Sequence, residues 1–403
     1  MRRAEPDARW KIHVARCFEE VEQLRGAWQT LAPTRVDADF DYFLTVARVR
    51  PEVVRPHVVV LSRDGQAEAM VVARIEDLRL RCTVGYKTIA TPRARFMTVV
   101  HGGVIGGDSE STCEVLLDEL LASLERREAD VVRLPGLRAG SSLHTAARTS
   151  PPFRSRDFLT GLEPHRSLRL PTSMDEFLAT RSRKTRESVK RYEKRLLREH
   201  GDHLSTRILR EAGDADRLFA DIEEVAAKTY QRGLGVAFED NEEHRRLTAL
   251  GLERGWFRAY LLYLDDRPIA FWHGCAYNGT FAIGSPGYDP EFSAYRVGMF
   301  LQMRMIEDLC RDESIHTLDY GHGDAEYKRR FGYNRGRPLM CRALSRLYTE
   351  RAVKNGLAAR IRQRPILVRP ELRRRGGART IALEELLTRR EVRRRARGPL
   401  AAL

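Results

Sequence analysis

Cysteine is scarce and unpatterned in this 403-residue chain. Six occur, Cys17, Cys82, Cys113, Cys275, Cys310 and Cys341, with no C-x-x-C pair and no histidine at zinc-ligand spacing. That excludes a disulfide scaffold and a zinc-finger domain, and leaves the thiols as reduced, mostly buried small hydrophobes. No apolar run approaches the ~18 residues that mark a transmembrane helix. The opening segment MRRAEPDARW lacks the apolar stretch of a secretory signal, so a cytoplasmic location is the expectation. Lysine is rare as well: of 71 basic residues eight are lysine and 63 arginine. Glycine at P-loop or dinucleotide-fingerprint spacing is missing, and no metal site is expected.

A hydrophobic content of 42% excludes global disorder. At about 150 residues per domain the length implies two domains or three. The net charge of +15 is unevenly placed. Residues 181–198 hold nine basic and two acidic side chains, and residues 350–403 hold sixteen and five. Everything else sums to −3, so two local stretches make the chain basic and the bulk is nearly neutral.

Residues 11–32 read as a strand followed by a helix with Val21, Leu24, Trp28 and Leu31 on one face. The aromatic helix FDYFLTVARV and two strands hinged at Asp64-Gly65 come next. HGGVIGG, residues 101–107, reads as a tight loop before a helix, or alternatively as a phosphate cradle. Residues 136–165, rich in Gly, Ser, Pro and Arg, read as a connection.

The second half repeats this order. Thr172 and Ser173 followed by Asp175 and Glu176 signal a capping box, and a basic helix or helix pair then runs to Gly201. Strand LSTRILR, two helices and three antiparallel strands follow, the last two joined at Asn278-Gly279; then come a helix, the strand IHTLDYG and the short helix DAEYKRRFG. The fold class expected is α+β, two similar domains, each a mixed and mainly antiparallel sheet flanked by helices. The boundaries expected are 1–160, 165–350 and an Arg-rich tail 351–403.

The segment Asp319-x-Gly321-x-Gly323-Asp324-x-x-Tyr327-Lys328-x-x-Phe331, following a strand, carries a family resemblance. It is similar to the Gcn5-related N-acetyltransferase (GNAT) superfamily, and within it to acyltransferases of the CelD type, related to the Fem transferases. The likeness covers residues 165–350 well and residues 11–150 as a degenerate first copy. It implies that two neighbouring strands part and that a pantetheine arm pairs with the edge Thr280–Tyr288, with Ile283, Gly284 and Ser285 near the thioester. Tyr295, Arg296, Val297 and Gly298 would then open a helix whose N-terminus meets a pyrophosphate. The superfamily loop usually carries a second glycine; here one fits.

The same resemblance implies acyl-CoA as co-substrate and direct transfer to an amine, small-molecule or carbohydrate, in a ternary complex. Asp319 is the expected base, with His322 and Asp324 as alternatives, and Tyr327 the acid. Lys328 is read as a phosphate contact or as a surface ion pair. Glu239 and Asp240 are read either as binding a cationic acceptor, between the halves, or as capping the next helix. A Fem-like transferase using aminoacyl-tRNA on a cell-wall precursor, and a silent binding scaffold, are the alternatives. The tail, with Arg373–Arg375 and Arg393–Arg395, is read either as disordered or as a contact for anionic membrane or nucleic acid.

Overall fold

Two tight turns set the strand pairing. Asp64-Gly65 and Asn278-Gly279 all take positive φ, between 45° and 81°, which matches the twist of a two-residue hairpin. A computed structural model describes residues 10–79, 82–84, 87–91, 93–151, 162–229, 232, 238–323, 325–332, 340–341 and 366–368. The chain divides into two units, Met1–Glu163 with Pro338–Leu403, and Pro164–Arg337.

The first unit contains β1 (Lys11–Ala15), α1 (Phe18–Glu22), α2 (Arg25–Leu31), α3 (Phe40–Val49), β2 (Val53–Arg63), β3 (Gln66–Arg79), β4 (Cys82–Val84), β5 (Lys87–Ala90) and β6 (Arg93–Gly106). It continues with α4 (Glu110–Glu125), β7 (Val131–Arg133), β8 (Leu137–Arg138), α5 (Ser142–Thr149) and β9 (Leu162–Glu163). The second contains β10 (His165–Arg169), α6 (Met174–Ala179), α7 (Arg183–His200), β11 (Leu204–Leu209), α8 (Ala215–Ala226), α9 (Glu242–Glu253) and β12 (Phe257–Leu264). After these come β13 (Arg267–Tyr277), β14 (Thr280–Ile283), β15 (Gly287–Tyr288), α10 (Val297–Arg311), β16 (Thr317–His322) and α11 (Glu326–Phe331). The C-terminal stretch returns to the first unit through β17 (Met340–Cys341) and β18 (Ile366–Val368).

The two main sheets share one plan. Their orders are β1-β2-β3-β6-β7-β18 and β11-β12-β13-β14-β16-β10. In each, four antiparallel strands are followed by one parallel neighbour, β7 beside β6 and β16 beside β14. A sixth, antiparallel strand then closes the edge, β18 arriving from the C-terminal stretch and β10 from ahead of its own unit's helices. Both sheets are mixed, mostly antiparallel and flanked by helices, the fold class expected from the element order.

HGGVIGG is a correction. Residues 101–106 belong to the long strand β6, not to a loop or a phosphate cradle. Gly106 has φ +70°, and a Cβ there would lie 2.2 Å from the Glu68 carbonyl oxygen, so glycine is needed for the close approach of β6 to β3.

In the second unit the sheet is covered on both faces, which explains why β12 and β13 read as near-continuous apolar runs. Tyr260, Trp272, Phe281, Leu318 and Tyr320 pack with α6, α7 and α10 through Phe177, Val189, Leu301 and Met305. Ala259, Leu261, Tyr263 and Phe271 pack on the opposite side with Leu218, Phe219 and Ile222 of α8 and Leu252 of α9. The capping box forms as the sequence predicts: Ser173 accepts from the Glu176 N–H at 3.2 Å, and Glu176 accepts from the Thr172 N–H at 3.0 Å.

Candidate active site

The parallel strands β14 and β16 pair at only three positions, Thr280 with Thr317, Phe281 with Leu318 and Ala282 with Asp319. Beyond Asp319 they part. The chain after β14 stays with β13, where the Gly284 N–H donates to the His273 carbonyl at 2.8 Å and Gly287 registers with Phe271. β16 runs on through Tyr320, Gly321 and His322, held on its other edge by β10. The result is a wedge between two strands with Asp319 at its apex and Ile283, Gly284 and Ser285 along one wall. In the first unit, by contrast, all three residues of β7 are paired to β6, with no strand extension past the pairing.

Pairing also fixes which way Asp319 faces. Phe257, Cys275, Ala282 and Asp319 are successive cross-strand partners, so they share the α8/α9 face of the sheet. Leu318 and Tyr320 point to the other face, into the α10-side core. Asp319 is 4% exposed. A carboxylate so buried requires polar partners. It accepts the Gly321 N–H at 2.8 Å and makes a close contact to His165 Nε2. Two irregularities bring these groups together. β10 carries a bulge between Arg166 and Ser167, and Gly321 adopts φ +69°, which favours glycine. His165 stands in register with His322, and their rings lie 5.0 Å apart with 34° between planes.

The structure thus assembles Asp319, His165 and His322. With Nε2–H directed at the carboxylate, His165 is left with Nδ1 as its acceptor, the arrangement of an oriented general base. Sequence reasoning missed His165, which lies 154 residues from Asp319 at the end of a stretch read as a connection. The alternation in HRSLRL is the one signal that marks the strand.

The other expected site residues are placed as follows. Tyr327 packs edge-on against Trp272 and Tyr320, with centroids at 5.4 and 6.1 Å, on the α10 side of the sheet. Lys328 donates from Nζ to the His322 carbonyl at 2.6 Å and so ties α11 to the end of β16. Asp324 lies outside the described residues. At the start of α10, Tyr295 donates its hydroxyl to Glu199 at 2.8 Å and stacks under Arg195, while Arg296 lies over the Tyr192 ring at 5.9 Å. Both side chains are engaged by α7. Val297 is buried, and a Cβ on Gly298 would come within 3.3 Å of the Tyr288 ring.

Glu239 is exposed, and its carbonyl accepts from His244 at 2.6 Å. Asp240 is held by Arg245 through two bonds of 2.6 and 2.7 Å, and these keep its carboxyl below the usual range. The cap of α9 is neither acid: Asn241 accepts the His244 N–H at 2.9 Å.

His273 lies beside the wedge, boxed by Phe238, Phe257 and Phe271. Burial pushes its pKa down to about 4, the nearby His244 adds to the shift, and a backbone bond at Ser285 opposes it. The folded value lies below the ordinary 6.5, so the unfolded chain binds the extra proton first. Stability is therefore complete above pH ~6.5 and falls as pH drops toward 4, by about 3 kcal/mol from this group. Replacing His273 by Leu should flatten the dependence by that amount in urea melts from pH 7 to 4; an unchanged slope would contradict the assignment. His57, buried in the first unit with its pKa lowered to about 3, contributes its own slope, which the difference between proteins cancels.

With this geometry in hand, comparison with known proteins bears on the second unit. The crystal structure of FemX is 10% identical, covering 89% of this chain and 98% of that one, with a TM-score of 0.55. A conserved protein of unknown function from Bacteroides thetaiotaomicron is 9% identical over 86% and 95% of the two chains, at 0.48. A tandem GNAT protein from the clavulanic acid biosynthesis pathway is 10% identical over 88% and 97%, at 0.42. At such identities the FemX likeness is one of fold. Among curated proteins none matches by sequence. The family model described as an acetyltransferase (GNAT) domain matches residues 183–329, a span that includes the wedge, Asp319 and the first turn of α11. Residues 183–329 are thus similar to a GNAT acetyltransferase domain.

Proposed function

We propose that the second unit moves an acyl group from acyl-CoA to an amine acceptor by direct transfer, as an enzyme of the CelD type. The coincidence of an open strand wedge with an oriented histidine at its apex carries this reading. A peptide-like pantetheine arm fits the edge Ile283–Tyr288, whose other side is occupied by β13. At the phosphate end the fit rests on the backbone of Val297 and Gly298 at the start of α10, since Arg296 and Tyr295 face α7.

Acyl-CoA, when bound, supplies the activated thioester carbonyl. His165 takes the acceptor's proton at Nδ1 so that the neutral amine attacks, and Asp319 holds the ring in that tautomer and offsets the charge it gains. His322, face to face with His165, flanks the acceptor's approach. Tyr327 is the proton donor for the departing thiolate. Backbone N–H groups lining the wedge receive the charge that develops on the carbonyl oxygen. No covalent acyl-enzyme step is required.

The test is thermal protection. At a ligand concentration of about 100 Kd the bound state gains about 2.7 kcal/mol, so an acyl-CoA of the right chain length should raise the unfolding temperature by roughly 5–10 °C. Absence of protection across acetyl- to palmitoyl-CoA would overturn the proposal. The engagement of Arg296 and Tyr295 by α7 favours one second reading, a Fem-like transferase that takes its acyl group from aminoacyl-tRNA. Protection by charged tRNA, with none by any acyl-CoA, would select it.

A further inference from the structure

The second unit contains a basic groove that the acyl-transfer chemistry does not use. It lies between α7 and α11, has a volume of about 750 Å³, and is lined by four cations, Lys184, Arg191, Arg329 and Arg330, two acids, Glu187 and Glu326, and the hydroxyls of Thr185 and Ser188. Lys184, Ser188 and Arg191 follow one another at i, i+4 and i+7, so one face of α7 supplies a wall. Glu187 is committed elsewhere: its carboxylate accepts from Arg183 at 2.7 Å. The groove is therefore net cationic, with two hydroxyl side chains among the cations.

Its composition runs against what an isolated helix favours. The first turn of α7 contains no acidic residue and instead holds Arg183, Lys184 and Arg186 near the capping Ser182. Cations there oppose the helix dipole, whereas an anion in the groove would be favoured by both. The opposite wall is the end of a short helix whose last turn is Lys328, Arg329 and Arg330. That helix is tied directly to the candidate site, because Lys328 Nζ bonds the His322 carbonyl at 2.6 Å. Whatever fills the groove sits one helical turn from Tyr327 and Lys328. It is also distinct from the start of α10, where Tyr295 and Arg296 engage the later turns of α7 at Tyr192, Arg195 and Glu199.

We infer that the groove binds a phosphate ester carried by the acyl acceptor, so that the acceptor is a phosphorylated or nucleotide-linked amine anchored by its phosphates on the α10 side of the sheet while its amino group reaches the wedge. The identity of the occupant as acceptor rests on the acyl-transfer reading; the anion site itself does not. Guanidinium and ammonium groups converging with hydroxyls suit phosphate oxygens, with arginine giving paired donors.

Isothermal titration of the full chain with inorganic pyrophosphate tests the site. One mole per mole should bind, and Lys184→Glu with Arg329→Glu should weaken binding at least tenfold. Lys190→Glu with Lys194→Glu, which makes the same charge change on α7 outside the groove lining, should leave it within twofold. Thermal protection by acyl-CoA should survive the groove substitutions. No pyrophosphate binding, or equal weakening by both pairs, would overturn the site. Loss of acyl-CoA protection in the groove variant alone would show that the donor's phosphates occupy it and would overturn the acceptor assignment. If pyrophosphate binds but no acyl-CoA protects, the transfer reading fails while the anion site stands.

Discussion

Replacing His165 by Ala should lower kcat/KM for acyl transfer by roughly 10²–10⁴-fold, the range typical of a lost general base. The fold should persist, since His165 occupies the end of β10, and the antiparallel pairing of Ser167, Leu168 and Arg169 with β16 does not depend on its ring. Asp319→Asn tests the other half of the pair. It keeps the side-chain shape but presents an amide where the imidazole N–H is directed, so it should misorient the ring and cost a comparable factor. Because the two act as a unit, the double variant should be little worse than either single one. Steady-state kinetics with thiol release as the readout, alongside a thermal melt of each variant, decides the matter. Wild-type turnover in His165→Ala would remove the histidine from the mechanism and return the role to Asp319 or His322.

The second large effect concerns stability. Arg258, 7% exposed on β12, contacts Asp312 closely and lies 3.8 Å from Asp308, whose carboxylate also accepts the Tyr260 hydroxyl at 2.7 Å. Burial alone would raise the Asp312 pKa, yet Ser314 and Arg258 together bring it down to about 2. Arg258→Ala leaves Asp312 without its cation, while Asp308 keeps Arg210. Breaking a buried ion pair from one side costs about 3–5 kcal/mol, and that is the loss expected in urea unfolding. Because Asp312 follows α10 directly, the same change loosens the helix whose first turn borders the wedge. A change below 1 kcal/mol would mean that the network is surface decoration. The sign with pH follows from the lowered carboxyl: the stabilisation is present above pH ~4 and disappears as Asp312 is protonated toward pH 2.

Much of this architecture is written in short-range signals. Asp64-Gly65 and Asn278-Gly279 announce their turns because few residue types tolerate positive φ. The Thr172-to-Glu176 segment announces its cap for the same local reason. Gly321 and Gly323 mark the end of β16 because the chain there takes positive φ, at +69° and +99°. What stays hidden depends on distance along the chain. His165 meets Asp319 only after 154 residues have folded between them. Nothing local in RPILVRP shows that residues 366–368 close the first unit's sheet on β7. HGGVIGG misleads because its glycines serve an approach between strands, which looks in sequence like a loop. Tyr295 and Arg296 sit where a phosphate grip is expected, but the basic helix that engages them lies roughly a hundred positions earlier.

The position of β10 has a practical outcome for anyone who trims the gene. The recognisable segment begins at residue 183, whereas the strand that shields the outer flank of β16 ends at Arg169. A clone started at the recognisable boundary would express a sheet with a bare hydrogen-bonding flank and without His165. Such a fragment would be prone to self-association.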